Sequence, residues 1–336
     1  MRRTHPLGIS AAGLAALLLL AAPAFATGTP ETSVESNVIG ISKIVAHPAL
    51  DDVEQGIIDE LTELGFSGLE YDLQNANGDI STAASIANKF RSDGVRLAVG
   101  IATPTAQALV QAIEDIPVVF SAVTDPVGAG IVGSTAAGDG NVTGASDLTP
   151  VEAQFDLMER LAGVEVVGHV YASGEANAVV LADMAREQAA ARGMEFVEAT
   201  VVNSSEVRAA TQSIIDRVDA IYVSTDNTVV SALSALTDVA MANGVPVISA
   251  DTGSAQPGGV LGALGFNYYK HGRATGRMIA DILNGTDPAT LPTLYLTDPS
   301  DLDILVNLDV ASELGISISE DVVADASMVI ENGELR

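Results

Sequence analysis

Polar side chains follow the apolar runs of this chain at the points where those runs end. They include hydroxyls and amides that donate hydrogen bonds to a carboxylate, and carboxylates that accept from an ammonium group. Such a set can hold a small zwitterion without making or breaking a bond. The candidate ligand-binding residues are His47, Thr103, Thr105, Ser121, Thr124, Asp125, Ser173, Glu175, Asn177, Thr225, Asp226, Asn227, Asp251 and Tyr268.

Within this set, Thr103 and Thr105 suit a ligand carboxylate, together with the N-terminus of the helix that should follow them. Pro104 is typical of a first helical position, so Thr103 is predicted to cap that helix. Asp226 or Asp251 is predicted to accept from an ammonium group, and the two asparagines are predicted to fix orientation through neutral hydrogen bonds. Helix capping or turn formation is the alternative for each residue, because Thr, Asn and Asp are common there for that reason alone.

The residue types that usually act in catalysis are either missing from this chain or not in a recognisable arrangement. The chain has no cysteine, and His47, His169 and His271 are far apart and lack the spacing of metal ligands. The Ser- and Gly-containing segments match neither a nucleophile elbow nor a phosphate-binding loop. We therefore predict a protein that is not an enzyme, with no catalytic residue, no metal and no cofactor, and keep a secreted two-lobed hydrolase as an alternative.

The elements that must position these residues alternate regularly. Apolar runs alternate with helical patterns that end in Gly, which is typical of βαβ units and a parallel sheet. Ligands of such sheets bind beyond the carboxyl ends of the strands, where the candidate residues lie. Strands are predicted at residues 38–45, 69–73, 95–99, 117–120, 166–172, 195–202, 220–224, 245–249 and 293–296.

The alternation runs through two similar halves, separated by a Gly-, Ala- and Ser-rich stretch at 125–141. We predict an α/β fold of two doubly wound parallel-sheet lobes joined by a hinge that the chain crosses three times. A polar tail precedes the lobes. The predicted limits are 27–37 for the tail, 38–145 plus 266–293 for lobe 1, and 146–265 plus 294–336 for lobe 2.

The first 26 residues have the pattern of a cleavable signal peptide. Arg2 and Arg3 precede an apolar stretch at 14–22, and Ala-Phe-Ala at 24–26 forms a small-x-small cleavage site. A lipid anchor would need a cysteine at the cleavage point. We therefore predict a periplasmic protein, secreted if the cell has no outer membrane.

The charge of the chain limits its partners. Removal of the leader leaves 13 basic against 44 acidic residues, a net charge of −31. Such a field repels nucleic acid and anionic lipid. No second long apolar segment follows the leader, so we predict a mature chain that is not embedded in the membrane, does not bind nucleic acid and is a monomer.

Several segments, in order, resemble one family: the ABC-transporter substrate-binding proteins of the tryptophan/tyrosine-binding type, with a periplasmic-binding-protein-like type I fold. The resemblance covers about residues 38–316. The departures are Ala172-Ser173, where the family more often has Asn-Pro or Asn-Ser, and Ser224, where Pro is more usual. The matching segments are ATPTAQAL at 102–109, IPVVFSAVTDPVGAG at 116–130, NVTG at 141–144, SGEAN at 173–177, NSSEV at 203–207 and DNTV at 226–229.

The resemblance implies an extracytoplasmic receptor that closes its lobes around a small ligand, as a Venus flytrap does. It implies an aromatic or other apolar amino acid as ligand, and an ABC permease and ATPase as partners. The loops at residue 47 and at 103–105, 121–125, 173–177 and 225–227 would line the cleft. A receptor that presents its ligand to a sensor kinase or chemoreceptor is the alternative.

Overall fold

Two β-sheets organise the chain in the computed structural model, which describes residues 36–256 and 258–336. The predicted leader and most of the predicted polar tail lie outside the described residues. The strands are, in chain order, β1 (Val38–Lys43), β2 (Glu70–Asn75), β3 (Leu97–Ile101), β4 (Val118–Ser121), β5 (Val142–Ser146), β6 (Val166–Ala172), β7 (Glu195–Val201), β8 (Ala220–Val223), β9 (Val247–Ser249), β10 (Gly262–Phe266), β11 (Leu294–Tyr295), β12 (Leu302–Asn307), β13 (Met328–Glu331) and β14 (Glu334–Leu335).

Helices occupy most of the connections between the strands and cover the sheet faces. The helices are, in chain order, α1 (Pro48–Glu63), α2 (Ile80–Asp93), α3 (Thr103–Ala112), α4 (Val151–Leu161), α5 (Ala176–Ala191), α6 (Val207–Ile214), α7 (Asn227–Val230), α8 (Leu233–Ala242), α9 (Thr252–Ala255), α10 (Tyr268–Leu283), α11 (Leu308–Leu314) and α12 (Glu320–Asp325).

The first sheet has the strand order β11-β5-β4-β3-β1-β2, and all its neighbouring strands are parallel. Its interior strand β3 reads Leu-Ala-Val-Gly-Ile and is buried along its whole length. A continuous apolar run of this kind is typical of a parallel strand with helices on both faces. Phe90, Phe120 and Ile279 are fully buried in the core around it.

The second sheet has the order β14-β13-β12-β10-β9-β8-β6-β7. Its strands are parallel except for two antiparallel pairs, β10 with β12 and β13 with β14. The strand β12 runs antiparallel because the chain leaves β10 for the first sheet and returns from it in the opposite direction. The predicted fold of two parallel-sheet α/β lobes is confirmed, with these pairs as an addition at one edge.

The chain passes between the two sheets three times: after β5, after β10, and between β11 and β12. A hinge of three segments lets the lobes bend while keeping them in register. The predicted lobe limits stay a prediction, and the pairing of β11 with β5 places Leu294 and Tyr295 in the first sheet.

Two helices begin differently from the prediction. The helical pattern after the first strand predicts a helix from about Asp51, whereas helix α1 starts at Pro48, with His47 as its extended N-cap. The sequence predicts Thr103 as the cap of α3 and Pro104 as its first residue. In the structure α3 begins at Thr103 and its N-cap is Ala102, with φ 77° and ψ 156°. This left-handed backbone turns the chain from β3 into the helix at once, so Thr103 is already helical.

Helices α1 and α10 pack with their backbones in contact at glycines. A Cβ atom at Gly56 would lie 2.3 Å from the carbonyl oxygen of Tyr269, and one at Gly272 would lie 2.3 Å from that of Val53. No side chain fits between the helices there. The two glycines therefore set the position of both helices on the first sheet.

Replacing Gly56 with alanine should lower the free energy of unfolding by about 1–3 kcal/mol, because the helices must move apart to admit the methyl group. The higher helix propensity of alanine, worth about 1 kcal/mol, offsets part of this loss. Urea unfolding measures the change. Gly68→Ala is the control, since a Cβ atom there meets nothing within 4 Å. Equal stability of the two variants would contradict the backbone contact.

Candidate functional site

A small cavity lies between the two sheets, at the carboxyl ends of their strands. It has about 320 Å³ of space that protein atoms do not fill, part of which is open to solvent. Loops of both sheets contribute to it. The lining residues are His47, Ala49, Leu50, Ala122, Thr124, Asp147, Asn177, Thr225, Asp226, Asn227, Val230, Asp251 and Tyr268.

Asp251 brings an unpaired carboxylate oxygen to this cavity. It follows β9 and caps α9, where its Oδ1 accepts hydrogen bonds from the backbone N–H groups of Gly253 (2.9 Å) and Ser254 (3.2 Å). Its Oδ2 is buried and has no partner within the described part of the chain. The cavity lining contains no Lys or Arg. Because a buried carboxylate without a cation is costly, a ligand ammonium group is the natural partner of this oxygen.

The N-terminus of α1 faces the cavity from the first sheet. His47 is the N-cap of this 16-residue helix, but its side chain makes no capping bond. Both ring nitrogens are buried without a partner in residues 36–256 and 258–336. Ala49 and Leu50, in the first turn, also line the cavity. The N–H groups of a first helical turn have no acceptor within the helix and carry partial positive charge, so this corner suits a ligand carboxylate.

The protonation of His47 follows from its burial. Burial lowers the pKa of His47, and the carboxylate of Asp251 and the amide of Asn227 oppose that shift. A lowered pKa keeps the ring neutral at pH 7. A neutral imidazole presents one N–H donor and one acceptor, so the ring can donate to a carboxylate.

Asp226 and Glu175 hold the second-sheet loops in place. Asp226 accepts from the backbone N–H groups of Val229 (2.9 Å) and Ala172 (2.6 Å), one on each oxygen. Burial, and then the nearby Glu175 carboxylate, raise the pKa of Asp226. Glu175 accepts from Asn227 Nδ2 (2.6 Å) and from a neighbouring Thr. Both carboxylates are therefore engaged by neutral donors, and Glu175 orients Asn227 without lining the cavity itself.

Asn177 and Thr225 offer further free oxygens. The amide nitrogen of Asn177 donates to the carbonyl of Thr225 (3.1 Å), which fixes the orientation of the side chain. The Oδ1 of Asn177 and the Oγ1 of Thr225 are both buried without a partner. With Asp251 they form a group of ligand acceptors contributed by the second sheet.

Asp147 is a lining residue that the sequence interpretation missed. It follows β5 directly and accepts from the hydroxyls of Tyr268 (2.9 Å) and Thr124 (3.3 Å). Burial raises its pKa to about 6. The signal that could have found it is the strand-end rule itself, but Val142–Ser146 is not predicted as a strand. All three side chains line the cavity.

The loop after β4 is held in a rare conformation. Ala122 has φ 54°, a left-handed value that is uncommon for a residue with a side chain. Its N–H donates to Nε2 of His271 at 3.1 Å, and burial lowers the pKa of His271 to about 4. A neutral ring is what this bond requires, because Nε2 must accept. His271 therefore positions a lining residue from helix α10.

Eight of the candidate residues line the cavity: His47, Thr124, Asn177, Thr225, Asp226, Asn227, Asp251 and Tyr268. Their binding role stays a prediction.

Six candidate residues lie outside the lining. Thr105 donates to the carbonyls of Ile101 and Ala102, Ser121 bonds Thr275, and Asp125 accepts from the N–H of Gly128. Ser173 is exposed. Thr105, Ser121, Asp125 and Glu175 therefore have hydrogen-bond partners within the protein. The hydroxyl of Thr103 is buried without a partner in the described part of the chain. The six are Thr103, Thr105, Ser121, Asp125, Ser173 and Glu175.

Two other features were searched for in the described residues. No helix among them is both long and apolar enough to cross a membrane. No group of three or more His, Cys, Asp or Glu side chains among the same residues is arranged to hold a metal ion.

Comparison with known proteins identifies close relatives. The family described as "ABC transporter substrate binding protein" matches residues 38–330. A tyrosine-binding protein of Clostridioides difficile (strain R20291) is 36% identical over 280 residues, 82% of this chain and 80% of the relative.

Two solved structures are informative about the arrangement of the sheets. An ABC domain from Streptococcus pneumonia in complex with L-Trp is 33% identical, with a TM-score of 0.84 over 88% of this chain and 100% of that one. A ligand-free, open substrate binding protein from Clostridium difficile is 36% identical, with a TM-score of 0.64 over 84% and 96%. At similar identity, the structure described here is more similar to the L-Trp complex than to the ligand-free, open structure. The family match covers nearly all of both sheets and the residues that line the cavity. The chain therefore belongs to the ABC transporter substrate-binding proteins.

Proposed function

We propose that this protein is the extracytoplasmic receptor of an ABC importer and that it binds an aromatic amino acid, such as tryptophan or tyrosine, between its lobes. The observation that carries the proposal is the pairing of opposite ligand chemistry across one cavity. The second sheet contributes the free Oδ2 of Asp251, and the first sheet contributes the N-terminus of α1 with the unpartnered ring of His47.

The two charged ends of an amino acid fit these two sides. The ammonium group donates to Asp251, Asn177 and Thr225 of the second sheet, and the carboxylate accepts from His47 and the first turn of α1. Each end is held by a different lobe, so the ligand gains its full set of contacts only when the lobes are closed. Ligand binding therefore shifts the population toward the closed form, and no bond is made or broken.

The aromatic class of ligand rests on the relatives. One is named as a tyrosine-binding protein and another was solved with L-Trp. The apolar part of the lining, Leu50, Ala122 and Val230, together with the ring of Tyr268, suits an aromatic side chain. The cavity therefore offers both the polar ends and the apolar middle that such a ligand needs.

The remaining parts of the proposal concern location and partners. The leader pattern supports export and cleavage after Ala26, so that the mature chain begins at Thr27. The family supports delivery of the ligand to an ABC permease and its ATPase, with the closed form as the delivered species. The receptor is a monomer in this proposal.

Isothermal titration calorimetry of the exported, purified protein tests the function. The titrants are the protein amino acids, and D-tryptophan and indole-3-propionate serve as matched ligands with altered chirality or no ammonium group. We expect L-tryptophan or L-tyrosine to bind with micromolar Kd or better, about 8 kcal/mol, and indole-3-propionate to bind far more weakly. If no amino acid binds and a solute of another class binds tightly, the proposal is refuted.

His47→Ala should weaken L-tryptophan binding by about 1.5–3 kcal/mol, because the ring is expected to donate to a charged carboxylate. L-Tryptophanamide keeps the ammonium group and the indole but has no carboxylate, so its binding should change much less. Calorimetry with both ligands separates the two effects. An equal loss of affinity for L-tryptophan and for L-tryptophanamide would show that His47 does not bind the carboxylate.

A further inference from the structure

The two lobes contact each other beside the cavity, where the first turns of two helices meet. Helix α1 packs on the first sheet, and α9 lies between β9 and β10 of the second. A Cβ atom at Gly253 of α9 would lie 3.8 Å from the backbone nitrogen of Ala49 in α1. Because Ala49 and Asp251 line the cavity from different sheets, a movement that opens the cavity separates these two helices.

Two carboxylates face each other across this contact, one from each lobe. The same Cβ position at Gly253 lies 3.4 Å from Oδ1 of Asp251 and 3.9 Å from Oδ2 of Asp52 on α1. The two oxygens are therefore at most about 7 Å apart, which is within the Debye length of about 8 Å at physiological ionic strength. The negative charges of Asp52 and Asp251 repel each other at this distance.

The protein supplies no cation to offset this repulsion. The Lys43 ammonium group is paired with Asp51 at 2.5 Å, and Asp52 has no ion pair within residues 36–256 and 258–336. The ring of His47 is also near Asp251, but burial lowers its pKa and keeps it neutral at pH 7. Burial, and then the carboxylates of Asp251 and Asp51, raise the pKa of Asp52, which is the direction that a nearby like charge produces.

From this contact we propose that Asp52 makes lobe closure depend on the ammonium group of the ligand. Without a cation, closing the lobes brings Asp52 close to the charge of Asp251, and this disfavours the closed form. A ligand ammonium group bound to Asp251 neutralises that charge, so the closed form is favoured by ligands that carry one. The inference rests on the proposed amino-acid function, and it gives a role in specificity to a residue outside the cavity lining.

The test uses two ligands that share an indole and a carboxylate and differ in the ammonium group, L-tryptophan and indole-3-propionate. Calorimetry measures both Kd values for the wild-type chain and for Asp52→Asn, which removes the charge and keeps the shape. Asp51→Asn is the matched control, because it removes an equal charge from the neighbouring residue, which is paired with Lys43. Any effect on the shared carboxylate cancels in the ratio of the two Kd values.

We expect Asp52→Asn to bind indole-3-propionate roughly three- to tenfold more tightly than the wild-type chain does, and L-tryptophan nearly as before. The preference for L-tryptophan should therefore fall by the same factor, whereas Asp51→Asn should keep it within about twofold. The change should shrink in about 1 M NaCl, where the Debye length is about 3 Å. A purely steric effect of the substitution would not depend on salt.

The Asp251→Asn background shows whether the two carboxylates act on each other. The charge of Asp251 is absent there, so adding Asp52→Asn should leave the Kd of indole-3-propionate unchanged. A preference for L-tryptophan that is the same in Asp52→Asn as in the wild-type chain overturns the inference, and so does an equal gain in indole-3-propionate affinity with and without Asp251. If no amino acid binds to any of these chains, the proposed function fails and the inference fails with it.

Discussion

Replacing Asp251 with asparagine should weaken amino-acid binding by about 2–5 kcal/mol, roughly 30-fold to a few thousand-fold in Kd. The substitution keeps the side-chain shape, and its remaining oxygen can still accept from the N–H groups of Gly253 and Ser254 at the start of α9. It removes the negative charge and the free Oδ2. Because no Lys or Arg among the described residues lines the cavity, no cation of the protein compensates the charge of Asp251 in the wild-type chain.

A matched variant and a matched ligand make this result specific. Asp125→Asn is the same substitution at a residue that also accepts a backbone N–H bond, from Gly128 at 2.8 Å, but lies outside the cavity; it should bind normally. Indole-3-propionate lacks the ammonium group, so its weak binding should not weaken further in Asp251→Asn. A variant that binds L-tryptophan as the wild-type chain does would remove Asp251 from the ammonium site.

The second large effect is on stability, at Asp147. Burial raises the pKa of this carboxyl from 3.8 to about 6, so the folded chain keeps a proton between pH 4 and pH 6 that the unfolded chain has lost. The wild-type chain therefore loses stability as pH rises through this window. The Asp147→Asn variant does not titrate there. Relative to wild type, the variant should gain roughly 2.4 kcal/mol of stability between pH 4 and pH 7.

Comparing the wild-type chain with Asp147→Asn isolates the effect of the Asp147 carboxyl group. Burial lowers the pKa of His169 and of His271 to about 4, so both histidines destabilise the folded state in acid. They are present in both chains, and their contribution cancels in the difference. Asparagine is tolerated at this position because the hydroxyls of Tyr268 and Thr124 can accept as well as donate. Urea unfolding of the ligand-free chains from pH 4 to pH 7 measures the effect; two parallel pH profiles would contradict it.

The two effects concern carboxyl groups that differ in their hydrogen-bond partners. Asp251 provides an unpaired charge that only a cationic group neutralises, and Asp147 provides a second acceptor at the hinge. Glu175 and Asp226 are engaged by neutral donors from the surrounding loops. In the proposed function, the ligand supplies the hydrogen bonds that Asp251 lacks.

The sequence by itself determined the alternation of strands and helices and the positions at which functional residues occur. Strands β3 and β6 appear as apolar runs because a parallel strand covered on both faces must be apolar throughout. His47 and Asp251 are predicted as binding residues because ligands bind beyond the carboxyl ends of such strands, and both line the cavity. Both rules depend on residues close together in the chain.

Only the tertiary structure decided which of these residues keep a free hydrogen-bonding atom. Thr105 and Asp251 are equally plausible from their types, but Thr105 donates to the carbonyls of Ile101 and Ala102 just before its helix, whereas one oxygen of Asp251 has no partner among the described residues. Asp147 meets Tyr268 from a position far along the chain, and β12 pairs antiparallel to β10 after an excursion to the other sheet. Such contacts join segments that are distant in sequence. A local sequence pattern does not indicate which distant segment will pack beside it.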